Sequence, residues 1–268
     1  MADPMYRQIA EDLQRRIESG ELSHGAQIPT EIDLRDYYNA SRNTVRDAIK
    51  WLTTRGLVET RPGQGTFVLE KINPFVTTLT GQPEGGPEGG ETAVYKAEVE
   101  ASGRMPANSE PRVEIQKATA VVARALRIGE GTQVVSRHQQ RFIDGTPWSL
   151  QTSFYPMSLD QSGATRLLEA TNIPEGAVTY LAHLDRGFTQ VGYRDSIAVR
   201  APDDNEAAFF KLASDGRVSV FEVHRVGFDQ KGNRLRLTVT VYPADRNRFR
   251  VAVGDVPPRV TDDGEDTG

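Results

Sequence analysis

Arg42, Asn43, Arg46 and Lys50 follow one another at spacings of one, three and four residues. On a helix turning about 100° per residue they share one sector, opposite an apolar sector of Val45, Ala48, Ile49 and Leu52. Arginine pairs in bidentate fashion with O6 and N7 of guanine, asparagine pairs with N6 and N7 of adenine, and further cations neutralise phosphates. Ser41 and Thr44 stand at the start of that helix, placed for a backbone phosphate. This pattern suits a DNA major groove. A second constellation is Arg137, Gln139 and Arg141, which a strand would carry on one face. Cations and amides are costly to bury unpaired, so the stripe faces either water or a polar ligand.

Other chemistry is poorly supplied. The chain has no cysteine, His24, His138, His183 and His224 show no metal-ligand spacing, and Asp203-Asp204 reads as a helix cap rather than an acid pair. No catalytic residue, metal or cofactor is expected. No apolar run approaches the roughly 20 residues of a membrane span, and no signal-like segment follows Met1, so a cytoplasmic protein without a membrane partner is expected.

Holding the first constellation takes a small helical head. Tyr6, Ile9, Ala10, Leu13 and Ile17 recur at helical spacing before Gly20. Thr30 opens a second helix, with Asp33 in its first turn and Leu34 and either Tyr37 or Tyr38 turned inward. Ser41 caps the third helix, which Gly56 ends. Residues 57–60 and 66–69 then read as two short strands around Arg61-Pro62-Gly63-Gln64-Gly65, a hairpin or wing. Residues 42–61 hold five cations and two acids, net +3, inside a first 72 residues whose ten Lys/Arg and eleven Asp/Glu sum to −1.

These residues resemble the winged helix-turn-helix domain of the GntR family of bacterial regulators. The resemblance rests on Tyr6-x-x-Ile9, Gly25-x-x-Ile28-Pro29-Thr30-Glu31, Ser41-Arg42-Asn43-Thr44-Val45-Arg46-x-Ala48, and Gly56-Leu57-Val58 through Gly63-x-Gly65-Thr66-Phe67-Val68. It implies that Arg42, Asn43, Thr44 and Arg46 reach DNA and that Gly65 approaches the minor groove. With the residue reading, the expected DNA-contacting set is Thr30, Glu31, Ser41, Arg42, Asn43, Thr44, Arg46, Lys50, Arg61, Gly63, Gln64 and Gly65. Ile32 stands where some subfamilies carry a base-reading arginine, which leaves readout to the third helix.

The remainder alternates strands with helices. Strands are expected at 133–143, 148–155, 191–199, 218–228 and 235–242, and helices at 119–126, 175–184 and 203–212. Turns at Asp144-Gly145 and at 229–233 join consecutive strands, which argues an antiparallel α+β domain. A three-residue loop at the first turn would set Gln139 opposite Gln151 and Arg141 opposite Ser149, whereas a two-residue loop would face Arg141 with Trp148.

This region resembles the UTRA effector-binding domain of the HutC subfamily, whose fold is chorismate lyase-like. The matching pieces are Arg141-Phe-Ile-Asp144-Gly145-x-Pro147, Glu206-x-x-Phe209-Phe210-x-Leu212, Val220-x-Glu222-x-x-Arg225-x-x-Phe228-Asp229 and Tyr242-Pro-Ala-Asp245-Arg246-x-x-Phe249. The expected effector set is Arg137, Gln139, Arg141, Gln151, Arg194, Glu222 and Tyr242. Relatives that bind sugar phosphates tend to show Arg-x-Arg before the turn and Glu after its proline. Here those positions read Gln139-x-Arg141 and Gln151. One arginine in place of two weakens an anion grip, so a phosphosugar is not the expected effector.

The 268 residues, net charge −5, are therefore divided into a DNA-binding domain at 1–72, a flexible Gly/Pro-rich linker at 73–92, an effector-binding and dimerisation domain at 93–254, and an acidic disordered tail at 255–268 with five acids and one arginine. The function expected is a dimeric transcriptional regulator, a repressor, that binds a pseudo-palindromic operator under control of a small molecule. The alternative is an architectural or plasmid-control DNA binder without an effector.

Overall fold

The computed structural model describes residues 3–69, 74–78, 90–184, 188–212 and 218–250. The chain forms two compact units, Met1–Asn73 and Pro74–Gly268. The expected tail, 255–268, lies outside the described residues.

In the first unit, α1 (Met5–Glu18), α2 (Glu31–Tyr38) and α3 (Arg42–Thr54) precede the hairpin of β1 (Val58–Arg61) and β2 (Gly65–Val68). Ile9, Leu13 and Ile17 of α1, Leu34 of α2, and Val45, Ala48 and Leu52 of α3 make one buried core, closed by Val58 and Val68 of the wing. Thr30 and Asp33 form a reciprocal capping box on α2, and the Ser41 hydroxyl accepts from Thr44 N–H at the start of α3. Of the two tyrosines, Tyr38 turns inward and donates to Asp12 at 2.5 Å, while Tyr37 is 74% exposed. Gly25, Ala26 and Ile28 exchange backbone hydrogen bonds with Thr66 and Val68, so the wing lies against the body of the unit.

The second unit begins with β3 (Phe75–Thr78), α4 (Gly90–Ala101), β4 (Pro106–Asn108), β5 (Arg112–Lys117) and α5 (Ala120–Leu126). β6 (Gln133–Ile143), β7 (Thr146–Pro156), α6 (Met157–Asp160), a 3-10 turn (Thr165–Leu168) and α7 (Ala177–Ala182) follow. β8 (Gly192–Arg200), α8 (Asp204–Phe210), β9 (Val220–Phe228), β10 (Arg234–Pro243) and β11 (Asn247–Arg250) complete it. The main sheet runs β4-β6-β7-β10-β9-β8, with β5 also on β6, and every pairing in it is antiparallel. One face packs Val134, Val226 and Leu237 under α5, and Val220 and Val241 against Phe210 of α8. The other packs Val135 and Tyr155 under α6, the 3-10 turn and α7.

One expectation needs correction, and the register left open at the first turn is resolved. Residues 73–92 are not linker throughout. β3 pairs in parallel with β11, Phe75 is buried with its ring edge-on to Trp148, and α4 begins at Gly90. Short apolar Phe75-Val76 finds a partner far along the chain, and such pairing leaves no local signature. The Asp144-Gly145 turn has two residues, both at positive φ (51° and 75°), yet it does not produce the register expected of that length. Trp148 bulges out between Pro147 and Ser149, so Arg141 faces Ser149 and Gln139 faces Gln151 after all.

Candidate nucleic-acid interface and ligand cleft

The first turns of α3 present Arg42, Asn43, Arg46 and Lys50 to solvent, while Val45, Ala48, Ile49 and Leu52 bury the other sector. Two of these cations share one partner. Glu31, the first residue of α2, accepts from Arg42 Nε at 3.2 Å and from Arg46 Nε at 3.1 Å. Slight burial opposes ionisation of Glu31, but the two guanidiniums outweigh it and hold its carboxyl below the usual range. Glu31 thus gathers the two arginines on one half-exposed carboxylate. Thr30, also expected at DNA, has its hydroxyl bonded to Asp33 at 2.6 Å. Ser41 and Thr44 hydroxyls lie 2.8 Å apart at the exposed mouth of α3.

The wing holds Arg61, Gly63, Gln64 and Gly65. Arg61 pairs with Glu59 and lies 4.5 Å over the Phe67 ring, and the Gln64 side chain is exposed at the tip. Gly65 adopts φ +121°, and a Cβ there would fall 2.2 Å from Nε2 of Gln27, which donates to the Gln64 carbonyl at 3.1 Å. Glycine is therefore required at that corner by backbone and neighbour alike. Gln27 is a support that sequence reasoning missed, because nothing local marks it.

In the second unit the polar stripe lies on the α6–α7 face. A cleft of about 440 Å³ there is lined by Gln139, Gln151, Asn108, Asn172, Arg137 and Arg236, within the volume range of small-molecule sites. Gln151 also borders an adjoining cavity of about 60 Å³ that contains Arg141, Tyr95 and Tyr242. Arg141 is 2% exposed and lies 5.0 Å over the Tyr95 ring. Burial pushes the Tyr95 phenol up to about 12, and its hydroxyl donates to the Phe142 carbonyl at 2.6 Å. Gln139 Nε2 donates to Asn172 Oδ1 at 2.7 Å. Oδ1 of Asn108 and Oε1 of Gln151 are buried acceptors with no partner among the described residues.

Three members of the expected effector set are placed otherwise. Arg137 borders the cleft, but its guanidinium is taken by the carbonyls of Arg166, Leu167, Glu169 and Thr171, at 2.7–3.3 Å, and it ties down the 3-10 turn. Arg194 and Glu222 point to the opposite face. Arg194 shares a cavity with α5, and Glu222 binds Arg200 at 2.6 Å and His224 at 2.8 Å. Sheet pleating decides this: Tyr193 and Arg225, one and three residues away, are the ones that reach the cleft face. There Arg225 pairs with Asp195 at 2.6 Å and lies 3.7 Å over the Tyr193 ring. Tyr95, Asn108, Asn172 and Arg236 were missed because their elements, or their phase in the sheet, were not read.

Residues 5–68 match the family model for bacterial regulatory proteins of the gntR family, and residues 101–248 match the UTRA domain model. An uncharacterised HTH-type transcriptional regulator of Streptomyces coelicolor is 29% identical over 248 residues, 91% of this chain and 90% of its own. The mannosyl-D-glycerate transport/metabolism system repressor MngR of Escherichia coli is 40% identical over 78 residues, 29% of this chain and 32% of its own. The crystal structure of PhnF from Mycobacterium smegmatis aligns with a TM-score of 0.52 at 23% identity, covering 92% of this chain and all of that one, a likeness of fold. No helix among the described residues is long and apolar enough to cross a membrane.

Proposed function

The chain belongs to the GntR family of bacterial regulatory proteins, in the branch that carries a UTRA effector-binding domain, and from that premise we propose that it is a cytoplasmic homodimeric repressor whose grip on an operator is set by a small molecule. The observation that carries this reading is the exposed face of α3. Arg42, Asn43, Arg46 and Lys50 have no core duty there, and two of them share only the exposed-side carboxylate of Glu31. In a dimer, two such faces address half-sites one helical turn apart, a geometry that demands a pseudo-palindrome. Repression agrees with the role of MngR, a repressor similar to this chain over 78 residues.

The effector occupies the cleft beside Gln139 and Gln151. The buried acceptors Asn108 Oδ1 and Gln151 Oε1 favour a ligand that brings hydrogen-bond donors. A phosphosugar is disfavoured. Arg137 is engaged by four carbonyls, and no second arginine stands at position 139. Calorimetry with glucosamine 6-phosphate should show no micromolar binding, and a micromolar complex would refute this choice of ligand. Sedimentation of the full chain with a fluorescent operator tests the assembly: two chains per DNA are expected, and one chain per saturated site would refute the dimer.

A further inference from the structure

The α5 face of the sheet, opposite the Gln139–Gln151 cleft, holds a second cleft of about 630 Å³. Its floor is apolar, formed by Ala123 and Ile128 from the α5 segment and by Val226 and Leu237 from the sheet. Around it stand Arg124, Arg127, Arg194 and Arg234, with no aspartate or glutamate among the lining residues.

These four guanidiniums have no carboxylate partner among the described residues. Arg42, Arg46, Arg166, Arg200 and Arg225 all find carboxylates. Part of the cluster has a local reason: Arg124 and Arg127 lie at the α5 C-terminus, whose carbonyls favour cations. Arg234 also serves that end, donating to the carbonyls of Arg124 and Ala125 at 2.7 Å. That contact uses one arm, and its buried Nε has no partner among the described residues. Burial first, then the charges of Arg127 and Arg194, pull the Arg234 pKa below its ordinary value. Arg194 comes from a different strand and lies 5.6 Å over the Phe228 ring. The α5 carbonyls therefore do not account for the whole cluster.

We propose that this cleft binds a small organic anion with an apolar body, a medium-chain carboxylate being the simplest case, its head held by the arginines and its chain laid on the apolar floor. The volume lies within the range of small-molecule sites. An apolar floor with a cationic rim selects amphiphiles over both sugars and neutral lipids. The proposal stands independently of the effector cleft, since the two lie on opposite faces of the sheet.

Competition against 8-anilinonaphthalene-1-sulfonate fluorescence, on the full chain, tests it with decanoate and decanol as probes. Decanoate should displace the dye from one site per chain, and decanol of the same length should compete at least about tenfold more weakly, as expected when charge-assisted hydrogen bonds are absent. Arg127→Gln/Arg194→Gln removes two exposed cations and should weaken decanoate by about tenfold while leaving the circular dichroism spectrum and Tm unchanged. If the double variant loses structure, Arg194→Gln alone provides the same reading. Equal competition by decanol, unchanged decanoate binding in a folded variant, or binding abolished instead by Gln151→Ala would each overturn the proposal.

Discussion

Arg46 and Arg137 are the same side chain at work in two regions of this molecule. Arg46 projects from α3 with more than half its side chain exposed and one carboxylate partner, Glu31. Arg137 is buried in β6 and donates to four backbone carbonyls that belong to a turn about 30 residues further along the chain. The first can exchange its surface partner for a base or phosphate at little cost, because exposed ion pairs are weak. The second cannot leave without stranding buried acceptors. A helix lying on a core sorts its residues into structural and available sectors. A strand covered on both faces commits polar residues to partners that only tertiary structure supplies.

Four substitutions press on this contrast, in descending order of expected effect. Arg137→Ala should cost about 3 kcal/mol, since four carbonyls lose a buried donor. Urea unfolding followed by tryptophan fluorescence checks it, and a loss below about 1 kcal/mol would mean that the turn re-forms its bonds with water. Arg46→Ala should weaken operator binding by about 2 kcal/mol with the melting temperature unchanged. Fluorescence anisotropy beside calorimetry separates the two effects, and a fall in stability without loss of binding would invert the contrast. Gly65→Ala should destabilise the wing by about 1–2 kcal/mol because φ there is +121°. It should also lower DNA affinity, and a melting curve identical to wild type would refute the strain.

Tyr38→Phe is the mildest, about 1 kcal/mol at neutral pH for one lost hydrogen bond. Its pH dependence is specific. The Tyr38 hydroxyl, and to a lesser degree Arg15, holds the Asp12 carboxyl below its ordinary 3.8, against the opposing effect of burial. The stabilisation is therefore complete above 3.8, the unfolded-state value, and lost as pH falls through the lowered folded-state value. Burial and Asp12 raise the Tyr38 phenol to about 12, so on the alkaline side the contact persists below 10 and fails between 10 and 12. Wild type and variant should thus converge in stability at both extremes. A gap that stays constant from pH 3 to 12 would contradict this account.

The same contrast explains what could be read from the sequence. The 3.6-residue period of α3 named its apolar and exposed residues together, and one hydroxyl, Ser41, marked its start. In the second unit the strand at 133–143, the helix at 119–126 and the cap at Asp203 were equally legible, because alternation, helical period and capping are local. Which face of β8 and β9 meets the cleft was not. Arg194 and Glu222 have the right chemistry, but a phase shift of one residue turns each to the other side. β3 and β11, four residues apiece and joined across the whole unit, carry no local signal. Tyr95 was hidden for the same reason. Its helix starts at the end of a Gly/Pro-rich run that reads as linker.

The most direct test footprints the full chain and its Arg46→Ala variant on the DNA immediately upstream of the reading frame, across a salt series. The account predicts a two-fold-symmetric protected site for the wild type that survives physiological salt, and no such site for an equally folded variant. Diffuse protection that fades steeply with salt and is the same for both proteins would be binding to phosphates alone, and would contradict it.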